Sequence, residues 1–185
     1  VSIATTFVPD LARMFHRGDH QQFSQTMASG IRLTALLTIP ASCGLWVMSK
    51  PIIGLLFQHG NFSAAATENT ARALSGLAIG LAGFSVYLFV LRGFYARNDT
   101  RTPFFINVAE NAINIVLAIV LVDRHGVFGL GLSFSIAYLV SALIALLVLE
   151  STEVDIKLSE LAFNIARIAI AAGAMTCVVW FTIRH

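Results

Sequence analysis

Charge is scarce in this sequence. Only 12% of its 185 residues are Asp, Glu, Lys or Arg, about half the roughly 25% of a soluble domain. Mean hydropathy is +0.79, and 57% of the residues are hydrophobic. The apolar residues come in long blocks, which a soluble core does not require. These features define an integral membrane protein. The net charge of +2 says little by itself, because where the charges sit matters more than their sum.

Other scarcities exclude other classes. There are two cysteines, Cys43 and Cys177. Both fall in apolar stretches, so a disulfide framework or metal site is not expected, and two small packing thiols are. No phosphate-cradling G-x-x-x-x-G-K-[ST], H-E-x-x-H or nucleophile elbow occurs. ATP use, catalysis, cofactors and nucleic acid are not expected of this chain, and any transport would draw on a gradient or the membrane potential. Gly126, Gly129 and Gly131 invite a dinucleotide reading. Their order is G-x-x-G-x-G with no preceding strand, so close helix packing explains them better. No charge run reads as disordered. A charged leader before a cleavable apolar segment is also missing. The chain begins in an apolar run, VSIATTFVP, and reads as a fragment cut inside a helix.

What is present is a succession of spans, all α-helical: five full crossings and one partial one. Residues 1–12 read as the end of a membrane helix closed by Pro9 and Asp10. Full spans are expected over about 31–49, 71–91, 104–122, 127–149 and 161–183, each near the ~20 residues that cross the hydrocarbon core. Pro40 is expected to kink the first of them. Lys50 and Pro51 end it. The segment IIGLLFQHGNFS is too short to cross and is expected at the interface, with His59 a solvated loop residue. Gly76-x-x-x-Gly80 plus Gly83 offers a small-residue face for helix packing. Tyr87, Phe89, Phe94 and Tyr95 suit an aromatic belt.

Alternate connections share a side. One side holds Arg13, Arg17, Arg32, Arg92, Arg97, Arg101, Lys157 and Arg167; the other holds Lys50, Arg72, Arg124 and Arg184. This bias places the RGFYARNDTRTP loop in the cytoplasm. Arg92, Arg97 and Arg101 serve topology in the plainest reading, and contact with anionic headgroups is the alternative.

The best sequence candidate for handling a solute lies just beyond that loop. Asn107, Glu110, Asn111 and Asn114 stand at i, i+3, i+4 and i+7, within an arc of about 100°. An unpaired carboxylate facing lipid costs at least ~2.5 kcal/mol, and Glu110 sits about 10 Å into the helix. The stripe therefore faces other helices or a wet cavity. It is either a wall of a substrate or ion pathway, or a set of interhelical hydrogen bonds.

The order and spacing of FVPDLARMFHRGDHQQF, IRLTALLTIPASCGLW, PIIGLLFQHGNFS, LRGFYARNDTRTP and GVFGLGLSFSIAYLV resemble the MurJ/MviN-type lipid II flippases. These belong to the multidrug/oligosaccharidyl-lipid/polysaccharide exporter superfamily. The resemblance covers nearly the whole chain. It implies about fourteen helices in two six-helix lobes plus two more, with alternating access about a central cavity. By order the chain would run from the end of helix 8 through helix 13. The implied activity is outward movement of undecaprenyl-linked peptidoglycan precursor across the bacterial inner membrane. Implied partners are that lipid, membrane lipids, the remaining helices and cell-wall synthesis proteins. The family's diphosphate-binding arginines lie mainly upstream of Val1. Some members carry an acidic residue one turn after the position of Asn114, as part of a cation site; here it is Ala118. The alternatives are a flippase for another polyprenyl-linked glycan, a drug/cation antiporter of the same superfamily, or a non-transporting scaffold.

Overall fold

The computed structural model describes residues 2–57, 62–152 and 156–184. Seven helices follow in order: α1 (Ser2–His16), α2 (His20–Val47), α3 (Ser49–Phe57), α4 (Ala64–Ala96), α5 (Arg101–His125), α6 (Val127–Ser151) and α7 (Leu158–Arg184). Among the described residues there is no strand. Five of the helices, α2 and α4 to α7, are long and apolar enough to cross a membrane. The nine residues of α3 reach only about 13 Å at 1.5 Å per residue, so α3 does not cross. Gln58, His59, Gly60 and Asn61 lie outside the described residues, and so does the expectation for His59.

The helices extend past their apolar centres because polar residues cap them. Asp19 accepts a hydrogen bond from the Gln22 amide at 3.0 Å, which starts α2 eleven residues before Ile31 in the polar segment His20-Gln21-Gln22. Ser63 caps α4 by accepting from Ala66 N at 3.2 Å. Such caps satisfy amides that the first helical turn leaves without partners. Gly126 ends α5 with φ 58°, and its amide donates to the Val122 carbonyl at 2.8 Å. A positive φ there favours glycine. Pro9 does not close α1, which continues to His16. A membrane helix tolerates the one bond a proline removes.

Successive spans reverse direction. Gly76 of α4 lies against Gly131 of α6, Gly80 against Ser135 and Gly83 against Leu139, so α4 and α6 run parallel. α2 runs opposite to α4, with Gly30 against Phe89 and Met27 against Gly93. α5 runs opposite to α6, with Asn114 beside Ser133 and Leu121 beside Gly129. The α4–α6 seam is backbone against backbone. A Cβ built on Gly80 would sit 2.4 Å from Ser135 Cα, and one on Gly131 would sit 2.8 Å from the Ala73 carbonyl. Ser135 Oγ donates across the seam to the Gly76 carbonyl at 2.6 Å. The small-residue face, Gly129 and Gly131 thus act as packing devices, whereas Gly126 meets no neighbour and serves the turn.

The apolar core gathers at one end, where Leu11, Phe23, Met27, Val90, Phe94 and Leu149 are fully or almost fully buried. This corrects the aromatic-belt expectation. Tyr87, Phe89 and Phe94 point inward, and only Tyr95 is exposed. Gly30, lacking a side chain, lets Phe89 of α4 fill the space beside α2. Cys43 is half-buried and Cys177 exposed on α7. Cys177 is therefore not a core thiol within this chain.

Candidate solute-facing site

The four polar residues of α5 do not share one environment. Glu110 is buried, 1% exposed. Asn114 is half-buried, while Asn107 and Asn111 are exposed. The helix-wheel arc accounts for this. At 100° per residue Glu110 and Asn111 mark opposite edges of the stripe, with Asn107 and Asn114 between. The stripe therefore straddles the border of the α5–α6 contact.

On the inner edge, Ser133 Oγ of α6 lies 3.1 Å from Asn114 Oδ1 and 2.8 Å from the Leu130 carbonyl. On the outer edge, Asn111 Nδ2 donates to the Asn107 carbonyl at 2.9 Å and lies 3.4 Å from Asn107 Oδ1. The outer pair is thus satisfied within its own helix, and its remaining hydrogen-bonding capacity faces away from α6.

Glu110 faces the aromatic part of the seam. Its carboxyl is within electrostatic reach of Tyr87 on α4 and Tyr138 on α6. The two phenol rings meet edge to face with centroids 5.5 Å apart, and Phe84 and Phe134 pack on Tyr138 at 4.9 and 4.4 Å. None of the ion pairs among the described residues includes Glu110. Tyr87 Oη is buried without a hydrogen-bond partner. The sequence reading missed Tyr87 as a polar neighbour and Tyr138 and Ser133 altogether. Their signal was available: a phenol or hydroxyl inside an apolar span seeks a partner.

The basic loop also divides. Arg101 is exposed in the first turn of α5, but Arg92 and Arg97 are half-buried. Arg97 donates through Nη1 to Thr152 Oγ1 at the end of α6. Its guanidinium carbon stands 5.3 Å from the Phe15 ring centroid, a stacking that suits guanidinium on an aromatic face. Arg97 thus braces α1, α4 and α6 together. Asp99 Oδ1 accepts from Arg101 N at 3.0 Å and Thr102 N at 3.1 Å, which caps α5. The Thr102 side chain, then the Thr102 and Arg101 amides, hold the Asp99 carboxyl below its ordinary value.

Two of the clefts between the helices differ in character. At the basic end, one of about 670 Å³ lies between α2 and the start of α7, and the Arg32–Glu160 pair at 3.9 Å closes one side of it. Its lining carries both signs, with His20, Lys157 and Glu160 contributing. Another, of about 590 Å³, is almost wholly apolar and opens among α2, α4, α6 and α7 around Ile39, Trp46 and Leu143. Among the described residues, no three His, Cys, Asp or Glu side chains converge as metal ligands would.

Five membrane-length helices of alternating direction make this a multi-pass membrane protein. Its spans carry one buried carboxylate, Glu110, and three asparagines on the same helix, polar groups that are rare within membrane spans. The family model "Lipid II flippase MurJ" matches residues 1–185, and the chain belongs to that family. A probable lipid II flippase MurJ of Rhizobium meliloti is 31% identical over 99% of this chain and 34% of its own length. Its counterpart in Vibrio cholerae is 30% identical over 95% of this chain and 34% of its own length. A solved structure of lipid II flippase MurJ, in an inward closed conformation, superposes with TM-score 0.80 at 27% identity. It covers 97% of this chain and 36% of the solved one. The chain therefore spans about a third of the length of these relatives.

Proposed function

We propose that this chain forms the second-lobe part of a flippase for undecaprenyl-diphosphate-linked disaccharide-peptide. The full protein carries the precursor from the cytoplasmic to the outer leaflet of the bacterial inner membrane by alternating access. A gradient or the membrane potential drives it, with no covalent chemistry and no cofactor. The observation that carries this reading is the end-to-end match, in sequence and in helix arrangement, to lipid II flippases. The basic end, where Arg13, Arg17, Arg97 and Arg101 collect, faces the cytoplasm by the positive-inside bias.

In this reading Asn107 and Asn111 line the solute side of α5, because their remaining hydrogen-bonding capacity faces away from α6, where the remaining helices would close the cavity, and Asn114 adjoins them at the border with α6. Glu110 stands behind them. Arg97 holds the cytoplasmic end together, Arg92 stands half-buried near it, and Arg101 is the exposed member of the cluster, open to headgroups. The partners are the precursor lipid, membrane lipids, the remaining helices and cell-wall synthesis proteins.

The test is complementation of a flippase-depleted bacterium by the full-length protein, with outer-leaflet lipid II measured directly. Growth with lipid II restored outside is expected. Lipid II held on the inner leaflet despite normal protein level would remove the reading. Asn111→Leu should lower translocation at least tenfold while leaving the protein level unchanged. Loss of protein together with transport would assign the asparagines to packing instead.

A further inference from the structure

Glu110 is the one ionisable carboxylate within the apolar length of α5. Between Arg101 and Asp123 there is no other charged residue on that helix, and none stands on α4 between Arg72 and Arg92 or on α6 between Val127 and Leu149. The groups that face it are therefore Tyr87 from α4 and Tyr138 from α6. Both are neutral phenols under ordinary conditions. The cations of the neighbouring helices stand near their ends, Arg72 and Arg92 on α4 and Arg101 and Arg124 on α5, and none of them forms an ion pair with Glu110 among the described residues. A carboxylate 1% exposed is costly to keep charged without a partner, and a proton neutralises it. The exposed amides of Asn107 and Asn111 stand beside it at the border of the seam, which gives water a polar approach.

We propose that Glu110, Tyr87 and Tyr138 form a proton-binding site in the α4–α5–α6 seam, at which Glu110 takes and releases one proton. In the step, hydronium at the asparagine edge gives its proton to a Glu110 carboxylate oxygen. One O–H bond forms, one breaks, and water is left. The carboxylic acid then carries a donor as well as an acceptor. The buried Tyr87 Oη has no hydrogen-bond partner in the structure, and its phenol chemistry suits either form. It can accept from the acid, and it can donate to the carboxylate. α5 packs almost wholly on α6, so the charge state of Glu110 acts on how α5 seats against the rigid α4–α6 pair. The site goes beyond the flippase reading and does not depend on which glycan is carried.

The experiment is infrared difference spectroscopy of the full-length protein in vesicles of phosphatidylethanolamine and phosphatidylglycerol, stepped in pH and exchanged into deuterium oxide. A protonated-carboxyl C=O band that shifts on exchange, falls as pH rises and is missing from Glu110→Gln is expected. Tyr87→Phe keeps the acid and removes the phenol, and should move the band's midpoint by about one pH unit, tenfold in proton affinity. Superimposable spectra of wild type and a folded Glu110→Gln overturn the proposal. If Glu110→Gln fails to fold, Tyr87→Phe decides, and an unmoved midpoint overturns it. Translocation is not part of the readout, so failed complementation with the band present removes the flippase reading alone.

Discussion

The α4–α6 pair and the outer helices α5 and α7 are built on opposite terms. In α4 and α6, 50% and 44% of the most apolar window is buried within the chain; in α5 and α7 the shares are 11% and 6%. All four are apolar enough to span, so hydropathy alone does not separate them. What separates them is residue size. Gly76, Gly80 and Gly83 meet Gly131 and Ser135, and backbones touch. α5 and α7 keep large side chains outward, with Phe105, Ile119, Ile170 and Val178 all exposed. In a bilayer no hydrophobic drive favours helix on helix, so close packing of small residues must hold the pair together. The seam is the frame of the lobe. The outer faces are what the lobe offers to lipid or to other helices.

The sharpest way to break this contrast is to thicken the seam. Gly80→Val places methyl groups where even a Cβ would lie 2.4 Å from Ser135 Cα. Neither backbone can retreat without opening Gly76 and Gly83 as well. A loss of about 3 kcal/mol, the upper part of the range for overpacking, is expected. Thermal unfolding of the full-length protein in vesicles measures it. A change below about 1 kcal/mol would show that the seam is loose.

This contrast marks what was legible in the sequence. The five spans stood out because apolar blocks of membrane length have few other uses. The glycine face was legible as a packing signal but not its partner, because spacing does not say which helix lies opposite. The i, i+3, i+4, i+7 pattern placed Asn107, Glu110, Asn111 and Asn114 together. Only the contact with α6 could show that Glu110 faces in and Asn111 faces out. The aromatic belt failed for a related reason. Phe89 and Phe94 sit near a span end, as belt residues do, but Gly30 of α2 leaves a hole that Phe89 fills. Arg97 looked like a free topology marker until Phe15 and Thr152 were seen around it.

Arg97 gives the next effect in size. Arg97→Met keeps the stem but removes both the stacking on Phe15 and the bond to Thr152. A loss of about 1.5 kcal/mol is expected, the low end for a hydrogen bond from a charged group. Arg97→Lys should recover little, because an ammonium lacks the planar fork. Equal stability of Arg97→Lys and wild type in the same unfolding measurement would show that charge alone is wanted there.

Asp99 tests the same end more gently. Asp99→Ala removes the acceptor of two amides at the start of α5 and should cost about 1 kcal/mol, the usual figure for a lost cap. The pH dependence has a definite sign. The folded state holds this carboxyl below its ordinary 3.8. Its contribution is present in full above that value and fades as pH falls through the lower folded one. Unfolding scans of wild type and Asp99→Ala should therefore differ at neutral pH and converge in acid. A gap that persists in acid would mean the lost bonds do not need the charge.

The smallest effect is expected on the outer face, and it is the one that says what covers that face. Ile119 of α5 is 64% exposed, well away from α6. If lipid or a wet cavity lies against it, Ile119→Ala leaves no hole, because mobile neighbours close the gap. The change should stay within about 0.5 kcal/mol, as for surface substitutions. If a helix of the full protein packs there instead, the missing atoms leave a cavity and the loss rises to about 2 kcal/mol or more. The same unfolding measurement distinguishes the two. The smaller value would identify this face of α5, with Asn107 and Asn111 along its edge, as one the protein keeps open to solute or lipid.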